Sequence, residues 1–436
     1  MNRSEWKFVF RGLFAAALCA ATLGASPVAQ AAELAGAAGG STNRWVATWS
    51  SAPIEPGPTN TVDALFGNDH SLSFENQTVR NIAHTSVGGK RIRVRLSNAF
   101  GHEPLRIGAA SVALRRALAT IYPASSRRLT FSGQPSIVVP AGAVAVSDAL
   151  DFDVPAAGDL AVSVYLPVAT EPATFHETTL QTSYVGGAGD FVSAPDLPGA
   201  TPTFSTFYLT VVEVLPSESI GTLVAFGDSR VLGAGSTPDA NRTWPDFLSA
   251  RLNPNPRRPR MAVINQGIGC GRLLFDFCGP GGAARFDRDV LTVTGATHVI
   301  VDLGLNDITI PSILPIFGHP EFASEMVSAA DIITGLHQLT LRAHAKGMKI
   351  LGATISPLGS SGVPGVATPE NEATRQAVNR WIRTGGAFDG VVDFDAAVRD
   401  PANPSRLLPA YDFDGLHLTD AGYEAMANAV NLSQLF

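Results

Sequence analysis

At 436 residues the chain is long for one compact core, and two domains is the expectation. With 45% hydrophobic and 16% charged residues, its composition is that of a globular protein rather than a disordered or fibrous one. A formal charge of −7 gives no electrostatic footing for a polyanion, so neither nucleic acid nor an anionic membrane surface is expected as a partner.

Residues 1–31 read as an export signal. Lys7 and Arg11 form a basic start, "GLFAAALCAATLGA" is the apolar region, and Ala29-Gln30-Ala31 supplies a small-residue cleavage site. The apolar run is too short for a comfortable membrane span. Cys19 follows Leu18 instead of a small residue, which argues against a lipid anchor. Removing the segment takes Arg3, Lys7, Arg11 and Glu5, and moves the formal charge from −7 to −9. The expected product is exported, secreted or periplasmic, with no stable membrane anchor. Residues 32–43 are small, polar and Gly-rich, a flexible leader.

Residues 44–215 carry a period of two. In "KRIRVRLSN", Ile92, Val94 and Leu96 share one face and Arg91, Arg93 and Arg95 the other; "DLAVSVYLP" alternates through Leu160, Val162, Val164 and Leu166. Gly, Pro and Asp separate such runs, as in an all-β sandwich or jelly roll. Trp45, Trp49 and Tyr184 in this half are either core aromatics or platforms for sugar stacking.

Residues 219–436 change rhythm. "GTLVAFG", "MAVINQG", "THVIVDLG" and "MKILGATISP" are near-continuous apolar runs, as expected of parallel strands buried on both faces. Helical patterns separate them. Residues 328–346 open on Ser328 and Asp331 as a capping pair and stripe through Ile332, Ile333, Leu336, Leu339 and Ala343. Residues 369–384 follow Thr368-Pro369 and are expected to turn Ala373, Ala377, Val378 and Trp381 inward. The expected fold is a three-layer, doubly wound α/β domain, whose ligands sit beyond the carboxyl ends of the strands.

Ser229, in "VAFGDSRVLGAGS", stands at such an end. A serine hydroxyl is a weak nucleophile until a base takes its proton. Among the nine histidines, His417 in "YDFDGLHLTDAGY" has the best setting, because Asp414 lies three residues earlier on a Gly-containing loop and can orient the ring. Acyl transfer also needs donors for the oxyanion. Asn306 in "LGLND" and the N–H groups of Gly269, Cys270 and Gly271 in "NQGIGCGR" lie at neighbouring strand ends, and Ser229 can donate its own N–H.

This constellation resembles the SGNH hydrolases, also called the GDSL esterase and lipase family. The resemblance covers about residues 219–436 and rests on "FGDS", "NQGIG", "GLND" and "DGLH". It implies a flavodoxin-like parallel sheet and a carboxylic ester hydrolase without cofactor. Ser229 would be the nucleophile, Asp414 and His417 its partners, and Asn306 an oxyanion donor. The half containing "NQTVRNIAHTSVGGKRIRVRLSNAFG" is similar to the β-domain of a bacterial extracellular subgroup. Two departures stand out. The family usually continues Gly-Asp-Ser with Ile-Thr-Asp-Gly, where this chain has Arg230-Val231-Leu232-Gly233, and Arg230 is expected to point to solvent. Cys270 replaces the second-block glycine, which keeps the N–H but puts the turn geometry in question.

Cys270 and Cys278 are the two cysteines left after export and are candidates for a disulfide that would hold this loop; spacing alone does not establish that their side chains meet. They do not make a zinc site, and no metal is expected. There is no GxSxG elbow, no P-loop and no complete GxGxxG. The substrate expected is an ester, on acylated extracellular polysaccharide or on small acyl and lipid molecules. "ITIPSILPIFGHPEF" either lines an acyl pocket or packs as a loop. Two other readings stand beside it: a glycan-binding protein whose sandwich recognises the sugar and whose second domain has lost activity, with Cys270 and Arg230 as signs of decay, and an acyltransferase that uses the same triad residues.

Overall fold

The computed structural model describes residues 44–56 and 72–436. Residues 1–31 and 32–43, expected to be an export signal and a leader, lie outside the described residues.

Two antiparallel sheets form the first half. The first has the order β1 (Val46–Ser50), β8 (Leu209–Leu215), β3 (Gly89–Ser97), β5 (Leu150–Val154). The second runs β7 (Ser183–Ala188), β2 (Gln77–His84), β6 (Asp159–Leu166), β4 (Ala109–Ala117). The period of two decides which side chains meet between them. Ile92, Val94 and Leu96 from β3 and Val212 and Val214 from β8 join Val79, Val112, Leu160, Val162 and Val164 from the other sheet in one core cluster. The arginines of β3 lie on the opposite face, where Arg91 is exposed and Arg93 and Arg95 are half-buried. Arg93 and Arg95 both bond the fully buried Glu213 carboxylate on β8. Arg95 also reaches Thr294 in the second half of the chain. A carboxylate so deeply buried is tolerable only because the two guanidiniums pair it.

The second half is built on a parallel sheet ordered β10 (Met261–Gly267), β9 (Gly221–Gly227), β11 (Ala296–Asp302), β12 (Lys349–Ala353), β13 (Gly390–Val392). β9 has no exposed residue, as its unbroken apolar run requires. One sheet face, with Val224, Phe226, Val299 and Val301, packs on α3 (Gly282–Phe286), α4 (Leu305–Ile313), α5 (Ala329–Ala345) and α6 (Pro369–Thr384). The other, with Leu223, Ala225, Val263 and Ile300, packs on α1 (Ser229–Leu232), α2 (Trp244–Leu252), α7 (Phe394–Val398) and α8 (Asp420–Ala429). This is the three-layer parallel architecture, with sheet order reversing at β9 and its neighbours.

Asn43–Phe436 is one compact unit, and the two halves share hydrogen bonds along their seam. Ala47 N–H donates to Thr294 at 3.0 Å, and Ser50 Oγ donates to the Asn265 carbonyl at 3.0 Å.

α5 starts with the Ser328–Asp331 capping box and buries Ile332, Leu336, Leu339 and Ala343, leaving Ile333 half-buried. α6 departs from the expected stripe. Ala373 is exposed, and the buried face is Asn371, Arg375, Val378, Asn379 and Ile382. Polar residues occupy it because they satisfy backbone at the end of β12. Asn379 accepts the Ile355 N–H at 2.7 Å and donates to its carbonyl at 2.8 Å, while Arg375 bonds the same carbonyl and the buried Asp395.

Candidate active site

β9 ends at Gly227, and Asp228 turns the chain into α1 by accepting the Arg230 N–H at 2.9 Å. Ser229 is therefore the first residue of a helix, at the carboxyl edge of the sheet. α1 lies close against β10, since a Cβ on Gly267 would come within 2.2 Å of Leu232 N. Only glycine fits there.

His417 arrives from the segment between α7 and α8. Gly415, at φ +89°, reverses the chain, and Asp414 closes the turn by accepting the N–H groups of Leu416 at 3.0 Å and His417 at 2.7 Å. The second Asp414 oxygen lies 2.7 Å from His417 Nδ1. The His417 hydrogen bond, helped by the backbone donors, holds the Asp414 carboxyl well below the usual carboxylate range, against the opposing effect of partial burial. An ionised carboxylate only accepts, so the proton sits on Nδ1 and Nε2 carries the lone pair. Ser229 Oγ is 2.9 Å from that Nε2. Asp414, His417 and Ser229 thus form one hydrogen-bonded line, with Nε2 placed to take the hydroxyl proton.

The loop after β10 supplies the opposite wall. Ile268 N–H donates to the Gly227 carbonyl at 3.1 Å, tying the loop to the end of β9. Cys270 sits at φ +50°, in the left-handed region that favours glycine. It is bridged to Cys278, with Cα atoms 5.6 Å apart, and Cys278 packs with Phe277, Leu314 and Phe322. The N–H groups of Ser229, Gly269 and Cys270 meet no backbone acceptor among the described residues. Gly271 behaves differently from the expectation above. Its N–H closes the turn onto the Ile268 carbonyl at 3.1 Å, so it is not free to meet an oxyanion. Its carbonyl instead accepts from Asn306 Nδ2 at 3.0 Å, leaving the second amide hydrogen of Asn306 for another acceptor. Gly271 lies against Asp228, its ideal Cβ position 3.6 Å from Asp228 Cα, so Asn306 is brought beside the Ser229 turn.

Three further residues hold this arrangement in roles the sequence did not assign to them. Asp307, next to Asn306 on α4, accepts the Leu273 and Leu274 N–H groups at 2.6 and 2.9 Å, pinning the loop to the helix. Arg285 on α3 donates to the carbonyls of Gly227 at 2.7 Å and Gln266 at 2.9 Å, which gathers the ends of β9 and β10. The third is Arg230. It is 1% exposed and not directed to solvent. Its Nε and Nη2 both donate to the carbonyl of Leu416, at 3.2 and 3.0 Å, one residue before His417. Burial lowers its pKa, opposed by attraction from Asp228 and Asp302. Burial likewise raises Asp228, and raises Asp302 to about 8 with help from Asp228 and against Arg230. The charge is held inside by these acids, which is the physical reason a residue next to the nucleophile turn points inward.

The segment after Asn306 is packed in part and exposed in part. Leu314 and Phe322 pack against the disulfide loop, whereas Ile316 and Phe317 are 57% and 58% exposed. Among the described residues no group of three or more His, Cys, Asp or Glu is placed to hold a metal ion, and no helix is long and apolar enough to cross a membrane.

Residues 225–425 match the GDSL-like lipase/acylhydrolase family. The search of curated proteins gave no match. Solved structures similar to this chain include the carbohydrate acetylesterase Est24 from Sinorhizobium meliloti, at 16% identity and TM-score 0.38, covering 50% of this chain and 100% of that one. The native M. smegmatis aryl esterase is 18% identical with TM-score 0.36, covering 48% and 95%. A GDSL-like lipase from Bacteroides thetaiotaomicron is 16% identical with TM-score 0.34, covering 49% and 87%. The matched residues, which carry Ser229, Asn306 and His417, are a GDSL-like lipase/acylhydrolase domain, and the activity this supports is that of a carboxylic ester hydrolase.

Proposed function

We propose that this is an exported serine ester hydrolase that works through Ser229, His417 and Asp414. The observation that carries the reading is the unbroken line from Asp414 through His417 to Ser229, at 2.7 and 2.9 Å. His417 Nε2 takes the hydroxyl proton as Ser229 Oγ bonds to the ester carbonyl carbon. The carbonyl oxygen becomes an oxyanion, met by the free amide hydrogen of Asn306 and by the N–H groups of Ser229 and Cys270, with Gly269 beside them. Collapse breaks the bond to the alcohol, which leaves with the proton from His417. Water then gives a proton to His417 as its oxygen bonds to the acyl carbon, and collapse breaks the bond to Ser229 Oγ, which takes the proton back from His417 as the acid leaves. Asp414 stays ionised throughout and stabilises the imidazolium.

The substrate class is carboxylic esters, on acylated extracellular carbohydrate or on small acyl and lipid molecules. The test is hydrolysis of p-nitrophenyl acetate, butyrate and decanoate by the native chain beside its Ser229→Ala variant. Turnover that disappears in the variant is expected, with the chain-length trend reporting the acyl room. Equal background rates in both proteins would overturn the reading and return the glycan-binding alternative.

A further inference from the structure

Between the first antiparallel sheet and the β10 edge of the parallel sheet lies a cavity of about 320 Å³. Its volume lies at the lower end of the range of roughly 300–1,000 Å³ typical of small-molecule sites. Ser229, Asn306, Asp414 and His417 do not line it; α1 contributes only Leu232. The wall combines one half-buried aromatic face, Trp49, with a set of neutral polar groups.

Among the described residues, two of those groups lack a protein partner on one atom. Gln181 is 5% exposed; its amide nitrogen donates to Asp239 at 2.7 Å, and its buried Oε1 has no partner. His176 is 4% exposed, and its Nδ1 lies 2.6 Å from the Ala52 carbonyl. A carbonyl can only accept, so Nδ1 carries the proton and Nε2 is left as a bare acceptor. Burial lowers the His176 pKa to about 4, which keeps the ring in this neutral form. Both groups call for a donor. An acyl chain would leave them unsatisfied, at a cost comparable to a lost hydrogen bond each.

Charge narrows the ligand further. Among the described residues no lysine or arginine lines the cavity, and His84 on its wall is already paired with Asp159 at 2.7 Å, so nothing there is free to compensate an anion. The one carboxylate among the described lining residues, Asp246, is committed to Thr243, accepting its N–H at 3.0 Å and its hydroxyl at 2.6 Å. A cation would find no free counter-charge. What remains is a neutral ligand rich in hydroxyls and with an apolar face for the ring of Trp49.

We propose that this cavity is a binding site for a neutral sugar unit, separate from Ser229, that would anchor a carbohydrate substrate. It extends the ester-hydrolase reading to a substrate class but is testable without turnover. Of the three aromatics noted in the sequence, only Trp49 serves here. Tyr184 is buried in the second sheet's outer cluster, and the ring of Trp45 lies 4.6 Å under the Arg93 guanidinium.

The experiment is calorimetric titration of the full chain carrying Ser229→Ala with xylose, N-acetylglucosamine and xylobiose, beside glucuronate and hexanoate. Binding of at least one neutral sugar is expected, weakened about tenfold or more by Gln181→Ala. Ala240→Trp, at an exposed position on the cavity wall, fills the space without removing a side-chain hydrogen bond and should abolish binding. No binding of any neutral sugar, binding unchanged in Ala240→Trp, or preference for glucuronate or hexanoate would each overturn the proposal. Ester turnover is read separately on the native chain, so either conclusion can fail without the other.

Discussion

Arg230 ties the nucleophile turn to the histidine loop, and its replacement by lysine is the most informative change. Its fork donates twice to the Leu416 carbonyl, at 3.2 and 3.0 Å, across 186 residues of sequence. Lysine keeps a positive charge for Asp228 and Asp302 but offers a single ammonium in place of the fork. Losing one charged-donor hydrogen bond removes about 1.5–3 kcal/mol. If that loss falls on the placement of His417, kcat drops roughly 10- to 150-fold, at about 1.4 kcal/mol per decade. KM should stay within about twofold, because Leu416 is tied to the base and not to substrate. Arg230→Met instead leaves the buried Asp228 without its cationic neighbour and should destabilise the fold by about 3–5 kcal/mol. The assay is steady-state hydrolysis of p-nitrophenyl acetate alongside urea unfolding for each variant. A lysine variant with native kcat would refute the positioning argument, as would a rise in KM at constant kcat.

Asp414→Asn should lower kcat about ten-thousand-fold, since an amide no longer enforces the Nδ1–H tautomer. Because the Asp414 side chain is 42% exposed, urea unfolding should register little loss of stability. Asp302→Asn should flatten the pH dependence of stability. The folded chain holds the Asp302 proton up to about 8 while the unfolded chain releases it near 3.8, so the native contribution is lost as pH rises between them. The difference between native and variant unfolding free energies across pH 4–8 isolates this group from His176 and His298, each lowered to about 4, which act in the opposite direction. An unchanged slope would remove Asp302 as the cause. Removing the Cys270–Cys278 bridge, which spans a sequence separation of 8, should cost roughly 2–3 kcal/mol by loop entropy. With Cys278→Ala, Cys270→Gly should be about 1 kcal/mol more stable than Cys270→Ala, because the position sits at φ +50°. Equal stability of the two would show that this φ carries no strain.

The parts of the fold that could be read from the sequence were those set by local rhythm. Alternation identified the facing residues Ile92, Val94 and Leu96, and unbroken apolar runs marked the parallel strands. Motifs at strand ends pointed to Ser229, Asn306 and the His417 loop because a doubly wound sheet delivers its strand ends to one edge. Charged and polar side chains whose partners are distant in sequence escaped this reading. Nothing near Arg230 signals the Leu416 carbonyl or Asp302, and solvent is the default for a lone arginine. The same holds for Arg375 and Asn379, whose burial depends on the Ile355 backbone at the end of another strand. Asp307 carried a local signal, since it follows Asn306, but its two loop donors lie 34 and 33 residues away. Gly271 illustrates the limit in the other direction, where a glycine chosen for its N–H spends it on closing the turn.

The central claim is that Ser229 is activated by His417. Treating the native chain with a fluorophosphonate ester and mapping the modified peptide by mass spectrometry tests it most directly. The account predicts one adduct per chain on Ser229, parallel loss of esterase activity, and no labelling of the His417→Ala variant. Labelling at another residue, or full turnover by a chain that resists labelling, would contradict it.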